Sequence, residues 1–427
     1  MKKTIILFVL FVLFCPCYVS AVEVLTWDSC LREAGRNHPE LISATENLKQ
    51  VKADKKVTIS SVLPQISSEA GRTRNGSKVK NSSGQTVSTT TDNYSYGITA
   101  QQLLFDGFKT TSDINAASEN INASQFDFNV VSSNVRLAVR SAFVGLLRAQ
   151  KLIDITKDIA VRRKQNLDMV KLRYEAGTEH EGSLLTAEAD LQQAEFEIVQ
   201  AERNVLLAQR QLVNELGRNG SYDIEVNGEF ALSETDRGKP DFDVLADNTP
   251  FLRELISKKE SAKYGLKSAK GDFFPQIYLN GSLGKSAAEW PPDGEKWSAG
   301  VSLSLPIFEG GSNIAKFFKA KSELVEAEAD VESGRDDVLY TLEEAWNDFQ
   351  NKIDKIYVQR KYLEAAEKRA KIANAEYSSG LISFDDWIII EDNLVSQKKS
   401  FLDAQSNMLI AEAAWIQAKG GVLDYES

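Results

Sequence analysis

The stretch LLTAEADLQQAEFEIVQAERNVLLAQRQLVNEL, residues 184–216, decides the architecture. Leu184, Leu191, Ile198, Val205 and Leu212 recur every seven residues, and Ala187, Ala194, Ala201 and Ala208 follow the first four by three. This spacing predicts a helix with a narrow apolar seam, and its alanines let a neighbouring helix come close. The seam returns 203 residues later, a multiple of seven, as Trp387, Leu394, Phe401, Met408 and Trp415, with Ala404, Ala411 and Ala418 in the second register. The copy therefore keeps its heptad phase.

Upstream, residues 108–174 contain no proline and one glycine, Gly145, with Ile114, Ile121, Phe128, Val135 and Ala142 on a seven-residue step. A helix of that length, at ~1.5 Å per residue, is a rod on the order of 100 Å. It should end where Arg173-Tyr174-Glu175-Ala176-Gly177-Thr178 offers a glycine C-cap. Thr26 can cap an earlier helix running from Trp27 toward Ile59, kinked or divided at Pro39. Paired landmarks extend the duplication over the chain. Asn248-Thr249-Pro250 answers Asn37-His38-Pro39, and Phe274-Pro275-Gln276-Ile277 answers Leu63-Pro64-Gln65-Ile66, both 211 residues on. Tyr377-Ser378-Ser379-Gly380 answers Tyr174-Glu175-Ala176-Gly177 at 203, so the first hairpin has the longer loop.

Between these helices the period changes from seven to two. Tyr94, Tyr96, Ile98, Ala100 and Leu104 alternate with Ser95, Gly97, Thr99 and Gln101. In the second half, Trp297, Ala299, Val301, Leu303, Leu305 and Ile307 alternate with Ser298, Gly300, Ser302 and Ser304, and Ile277, Leu279 and Leu283 with Tyr278, Asn280 and Ser282. Residues 66–71 alternate poorly, and residues 72–92 read as a loop rich in Ser, Thr, Asn and Gly. Residues 222–230 offer a short strand. An apolar face with Trp and Tyr near the loop ends, opposite a serine-lined face, suits a strand between lipid and a wet lumen; a soluble sandwich strand is the alternative. On the first reading Tyr94, Tyr96, Ile98, Trp297, Val301, Leu303 and Leu305 face lipid. Four strands cannot close a spanning barrel, which needs ~8 or more, and open edges are not tolerated in lipid. A barrel must then be shared, as 8 strands from two chains or 12 from three.

Residues 1–21 read as a secretory signal, with Lys2 and Lys3, an apolar run from Ile5 to Phe14 and the small residues Val19-Ser20-Ala21. Phe14 and Pro16 precede Cys15 and Cys17 where lipid attachment expects a small residue. Without the leader, 48 basic residues stand against 61 acidic ones, a net −13 that repels nucleic acid. Cys30 then remains alone, which excludes an intrachain disulfide and a cysteine metal cluster. No other uninterrupted apolar run is long enough for a membrane-spanning helix. There is no phosphate loop, nucleophile elbow or paired-histidine motif, so neither an enzyme nor a cofactor is expected. His180 between Glu179 and Glu181 is one histidine in an acidic turn, too little for a metal.

The Pro-Gln-Ile entries to both hairpins, their Phe-acid-Gly exits and the Tyr-x-x-Gly turns resemble the TolC-like outer-membrane efflux proteins over essentially the whole mature chain. The resemblance implies a mainly α fold with a β-barrel part. A unit of long coiled-coil helices and β-hairpins is duplicated, and each chain gives four strands to a trimeric 12-strand outer-membrane barrel. The boundaries read as a signal peptide at 1–21, a first repeat at 22–217 (hairpin about 60–105, helical hairpin about 108–217), a linker or equatorial segment at 218–247, a second repeat at 248–421 (hairpin about 272–308, helical hairpin about 311–420) and a tail at 422–427. The implied function is a passive exit duct of a tripartite efflux pump or type I secretion system, held in outer-membrane lipid as a homotrimer with its helices in the periplasm. An inner-membrane transporter and a periplasmic adaptor protein are the implied partners. By position relative to Gly380, Asp386 matches the family's first gate aspartate and Ile389 stands where a second is common, with Asp385 and Glu391 close by. Tyr174, Gly177, Tyr377 and Gly380 match the adaptor-docking turns. The rival reading, a periplasmic coiled-coil adaptor or scaffold, shares the heptads and the leader but leaves the two-faced hairpins without a purpose.

Overall fold

The computed structural model describes residues 23–80, 82–218, 220, 223–230 and 238–423. The leader, with Cys15 and Cys17, lies outside them, as does residue 222 of the 222–230 strand and most of the tail. In order the elements are β1 (Glu23–Leu25), α1 (Trp27–Asn37), α2 (Pro39–Ser60), β2 (Gln65–Lys80), β3 (Thr86–Phe105), α3 (Lys109–Glu175), α4 (Glu181–Glu215) and β4 (Ile224–Val226). Then come α5 (Phe242–Ala246), α6 (Pro250–Gly271), β5 (Gln276–Ala287), β6 (Gly294–Ser304), α7 (Ser312–Ser378) and α8 (Phe384–Ala418). Helices α3 and α7 each have 67 residues and α4 and α8 each have 35, with every bound displaced by 203. The chain departs from α at His38, whose ψ of 124° ends α1, because the ring of Pro39 disfavours the α conformation in the residue before it, and Pro39 then opens α2. Thr26 caps α1 through a reciprocal pair with Ser29.

The chain forms two compact units. One comprises residues 43–131 and 241–341 and contains a four-stranded sheet of order β2-β3-β5-β6, antiparallel at every step. The expectation of a loop over residues 72–92 is corrected here: residues 65–80 and 86–105 are strands paired from Gln65↔Gln101 to Lys80↔Thr86. The pairing escaped detection because one face of this far part carries Arg, Lys, Ser and Thr and the other mostly Thr, Asn and Ser, so no hydropathy alternation marks it. Threonine's branched Cβ favours the pleat all the same. Leu305 and Ile307, read as part of the last strand, lie beyond β6 on either side of Pro306, which cannot donate to a ladder.

The other unit comprises residues 1–42, 132–240 and 342–427. Its short sheet pairs β1 with β4 in parallel, so the strand near residues 222–230 is three residues long. Val139, Ala142, Phe143, Leu146 and Leu147 of α3 are buried here. One window of α3 is long and apolar enough to cross a membrane by composition, a property missed in the search for uninterrupted runs, yet half of that window is buried inside the protein. Ala187, Ala194 and Ala201, the alanine row of α4, are buried at 2–3% exposure. Cys30 is fully buried on α1, and burial pushes its thiol up to about 12.

Candidate functional site: a two-faced sheet and two helical turns

The register decides which side chains share a face of the sheet. Ile98 pairs with Leu283 and Leu283 with Trp297, while Leu279 pairs with Val301 and Ile277 with Leu303. Tyr94, Tyr96, Ile98, Trp297, Val301 and Leu303 therefore lie on one face. Trp297 is 78% exposed, and Ile98, Val301 and Leu303 are likewise exposed. The opposite face is hydroxyl-lined and internally bonded: Ser67 to Thr99 at 2.7 Å, Ser282 to Ser298 at 2.8 Å, and the Asn280 amide donating to Ser302 at 2.8 Å. Such a sheet is suited to two solvents, one apolar and one aqueous. Among the described residues, strands β2 and β6 each have an unpaired edge. In water, exposed apolar edges of this kind template aggregation, and in lipid their free N–H and C=O groups have nothing to bond.

The turns that close the two helical hairpins share one backbone solution. The Gly177 N–H donates to the Tyr174 carbonyl at 2.9 Å and the Thr178 N–H to that of Arg173 at 2.9 Å. In the second repeat Gly380 donates to Tyr377 at 3.0 Å and Leu381 to Glu376 at 2.8 Å. This closure needs a left-handed residue, and the φ angles of Gly177 and Gly380 are 72° and 79°.

The side chains of the two turns differ. Tyr174 is 40% exposed, whereas Tyr377 is fully buried, stacked on Trp387 at 4.2 Å between ring centres. Val170, Ala187, Ala373 and Phe384 complete that cluster, so the ends of α3, α4, α7 and α8 share one small core. Most of its polar rim is bonded, while Arg173 Nε and Trp387 Nε1 are buried without a hydrogen-bond partner. The Tyr377 hydroxyl donates to Glu179 at 2.8 Å, the Ser183 hydroxyl donates to the same carboxylate at 2.9 Å, and Arg173 donates to the Tyr377 carbonyl at 2.7 Å. Burial pushes the Glu179 carboxyl up, but the bonds from Tyr377, Ser183 and the His180 backbone outweigh it and leave it below its ordinary value. Burial and Glu179 hold the Tyr377 phenol well above the usual tyrosine range, so it stays a donor. His180 caps α4, its Nδ1 accepting from the Ser183 N–H at 3.2 Å.

Asp385, Asp386 and Ile389 lie on the exposed side of the first turns of α8, opposite the buried Phe384 and Trp387. Asp386 also has a local bond: Ser383, the N-cap, accepts from its amide at 3.1 Å and donates to its carboxylate at 2.6 Å. Glu391, noted as a neighbouring gate acid, is instead 1% exposed and bonded in two places by Arg162, one contact at 2.6 Å, with Asn166 at 3.4 Å. Arg163 binds Asp392, and Lys399 binds Glu197 at 2.7 Å. These partly buried pairs tie α8 to α3 and α4. Their partners are 202 and 229 residues apart, a separation no local pattern signals.

A duplicated helical hairpin and a sheet with one apolar and one hydroxylated face are together the parts of a channel-forming outer-membrane protein rather than a soluble scaffold. The outer membrane efflux protein family model matches residues 30–218 and 243–421, and the chain belongs to that family. It is 21% identical to the outer membrane efflux protein BepC of Brucella suis biovar 1 over 76% of this chain and 71% of that one. To the alkaline protease secretion protein AprF of Pseudomonas aeruginosa it is 22% identical, over 78% and 70%. The crystal structure of the Campylobacter jejuni CmeC outer membrane channel superimposes with a TM-score of 0.82 at 19% identity, covering 94% of this chain and 87% of that one. The protein is an outer-membrane channel whose helical part lies in the periplasm.

Proposed function

We propose that three copies pool their hairpins into one 12-strand barrel, and that the resulting duct is the exit of a tripartite efflux pump or type I secretion system. The observation that carries this is the sheet: its apolar face is exposed, its other face is lined by bonded hydroxyls, and both edges await strands. Joining β6 of one copy to β2 of the next satisfies both edges with no further element, and twelve is the closed count for three chains. BepC and AprF, named for efflux and for protease secretion, support either kind of cargo. The repeat boundaries then fall at 22–217 and 248–421, with 218–247 between them.

In this reading three copies of Asp386 approach the axis and concentrate negative potential at the periplasmic constriction, with Asp385 beside them. Ile389 lines the next exposed turn and makes the constriction partly apolar. The expected outcome is an SDS-resistant trimer in outer-membrane fractions that conducts cations preferentially in planar bilayers. Asp386→Asn, which keeps an acceptor for Ser383, should lower that selectivity; unchanged selectivity removes Asp386 from the gate. The periplasmic adaptor protein of such a pump, which links the duct to an inner-membrane transporter, would dock on the turns at Gly177 and Gly380 together with exposed Tyr174. Tyr377, being buried, shapes that surface from beneath. Photocrosslinkers at Thr178 and Leu381 should capture the adaptor in cells, and a scan yielding no adduct there would locate docking elsewhere.

A further inference from the structure

The first hairpin outruns the second. Strand β3 pairs with β5 only as far as Tyr94↔Ala287, while β2 and β3 continue for eight more pairs, from Thr73↔Asn93 to Lys80↔Thr86. At ~3.4 Å per residue and the ~40° tilt of barrel strands, this extension stands about 20 Å beyond the second hairpin. Its charges are sorted by face. Arg72, Arg74, Lys78 and Lys80 occupy alternate positions of β2 and share the face of Tyr94, Tyr96 and Ile98. The opposite face of the extension, Thr73, Asn75, Ser77 and Val79 across from Asn93, Thr91, Thr89 and Val87, carries no charge.

The cations begin where the apolar face ends. Trp290, in the turn of the second hairpin, packs edge-on against Tyr94 at 6.2 Å and Tyr96 at 6.5 Å, which marks an aromatic belt of the kind found at the membrane interface. Arg72 lies over the Tyr94 ring at 5.2 Å, joining that belt to the ladder above it. Asp92 offsets only part of the charge, taking Arg74 at 3.1 Å and Arg72 at 3.3 Å. Lys285, a pair lower on the same face, is offset by Glu295 at 3.5 Å. The surplus is positive in a chain whose net charge is −11.

We propose that this ladder binds the phosphate groups of the anionic glycolipid in the outer leaflet of the outer membrane. The inference rests on the lipid-facing reading of the sheet. A surface continuous with the apolar face, starting at the aromatic belt and bearing guanidinium and ammonium groups in two pairs, each spaced ~7 Å and separated by Gly76, meets phosphates at the depth where phosphorylated sugars begin. The ligand is the lipid headgroup rather than free phosphate, because the cations lie in a row along an open strand and enclose no single anion.

The test uses the full-length trimer in detergent, titrated with bisphosphorylated lipid A, with its dephosphorylated form and with inorganic phosphate. Arg74→Gln/Lys78→Gln/Lys80→Gln should weaken lipid A binding by about fivefold per cation removed, on the order of a hundredfold together. Arg72 is left in place to keep the stack on Tyr94, and binding of the dephosphorylated lipid should not change. Equal lipid A affinity of native and variant trimers overturns the proposal, as does displacement of lipid A by equimolar inorganic phosphate. If the variant keeps its lipid affinity but aggregates, the cations serve only to keep the free β2 edge from pairing, and the proposal falls. Quenching of Trp297 by brominated lipid, taken as the difference between the native chain and Trp297→Phe, separates the two layers. Quenching with unchanged lipid A affinity refutes the ladder alone, whereas no quenching refutes the lipid-facing sheet and the ladder with it.

Discussion

Tyr174 and Tyr377 stand at equivalent positions 203 residues apart, and their environments have diverged: one is partly exposed, the other is buried under Trp387. The difference follows from Glu179. Its carboxylate side chain is 9% exposed and accepts from the Tyr377 hydroxyl, a charge-assisted bond that draws the second turn's tyrosine inward. Since the folded carboxyl lies below its ordinary value near 4.5, its contribution is present above that pH and is lost as the pH falls through the folded value. Tyr377→Phe deletes one of the bonds that lower it. The expected cost is about 1.5–3 kcal/mol at neutral pH, with a smaller loss of stability between pH 5 and the acid limit than in the native protein. Thermal melting of both proteins across that range checks it, and parallel curves would show that the bond carries no proton linkage. The pairing of Glu179 with Tyr377 could not be read from sequence, where Glu179 entered only as a neighbour of His180.

At the scale of elements, the heptad seams and the Tyr-x-x-Gly turns were legible because each is a local pattern: a period of seven, a glycine after the last turn, a proline where a helix must stop. The far half of the first hairpin was not, since strand reading depends on a dry face and residues 72–92 have none. The glycines show how local geometry and packing separate. Gly177 has a φ of 72° and open space where a Cβ would go. Gly217, ending α4 with a φ of 70°, would set its Cβ 2.3 Å from the Asn37 carbonyl oxygen. Gly177→Ala then meets only the backbone penalty, roughly 1–2 kcal/mol. Gly217→Ala meets the same penalty and must also displace the end of α1. Melting temperatures should fall in that order, with hydrogen exchange rising locally at the turn for Gly177→Ala and across α1 and α4 for Gly217→Ala; equal effects would mean that the contact with Asn37 yields freely.

For the whole molecule, the decisive property is that neighbouring residues of one strand belong to chemically opposite faces of the sheet. Val301 and Ser302 are adjacent in β6, yet Val301 opposes Leu279 on the apolar face and Ser302 opposes Tyr278 on the hydroxylated one, where it accepts from Asn280. A soluble sandwich would bury one of these faces in a dry core, so a lysine there would be costly and one on the other face harmless. In a pooled barrel the costly side is the lipid, where a lysine near the bilayer midplane loses about 2–4 kcal/mol per chain. In the proposed trimer that cost counts three times, so Val301→Lys should strip most of the SDS-resistant trimer from outer-membrane fractions. Ser302→Lys should leave the trimer intact and place three ammonium groups in the lumen, lowering cation conductance in a planar bilayer. If instead Ser302→Lys abolishes assembly while Val301→Lys is tolerated, the hydroxyl-lined face is packed against protein, and there is no aqueous passage through the sheet.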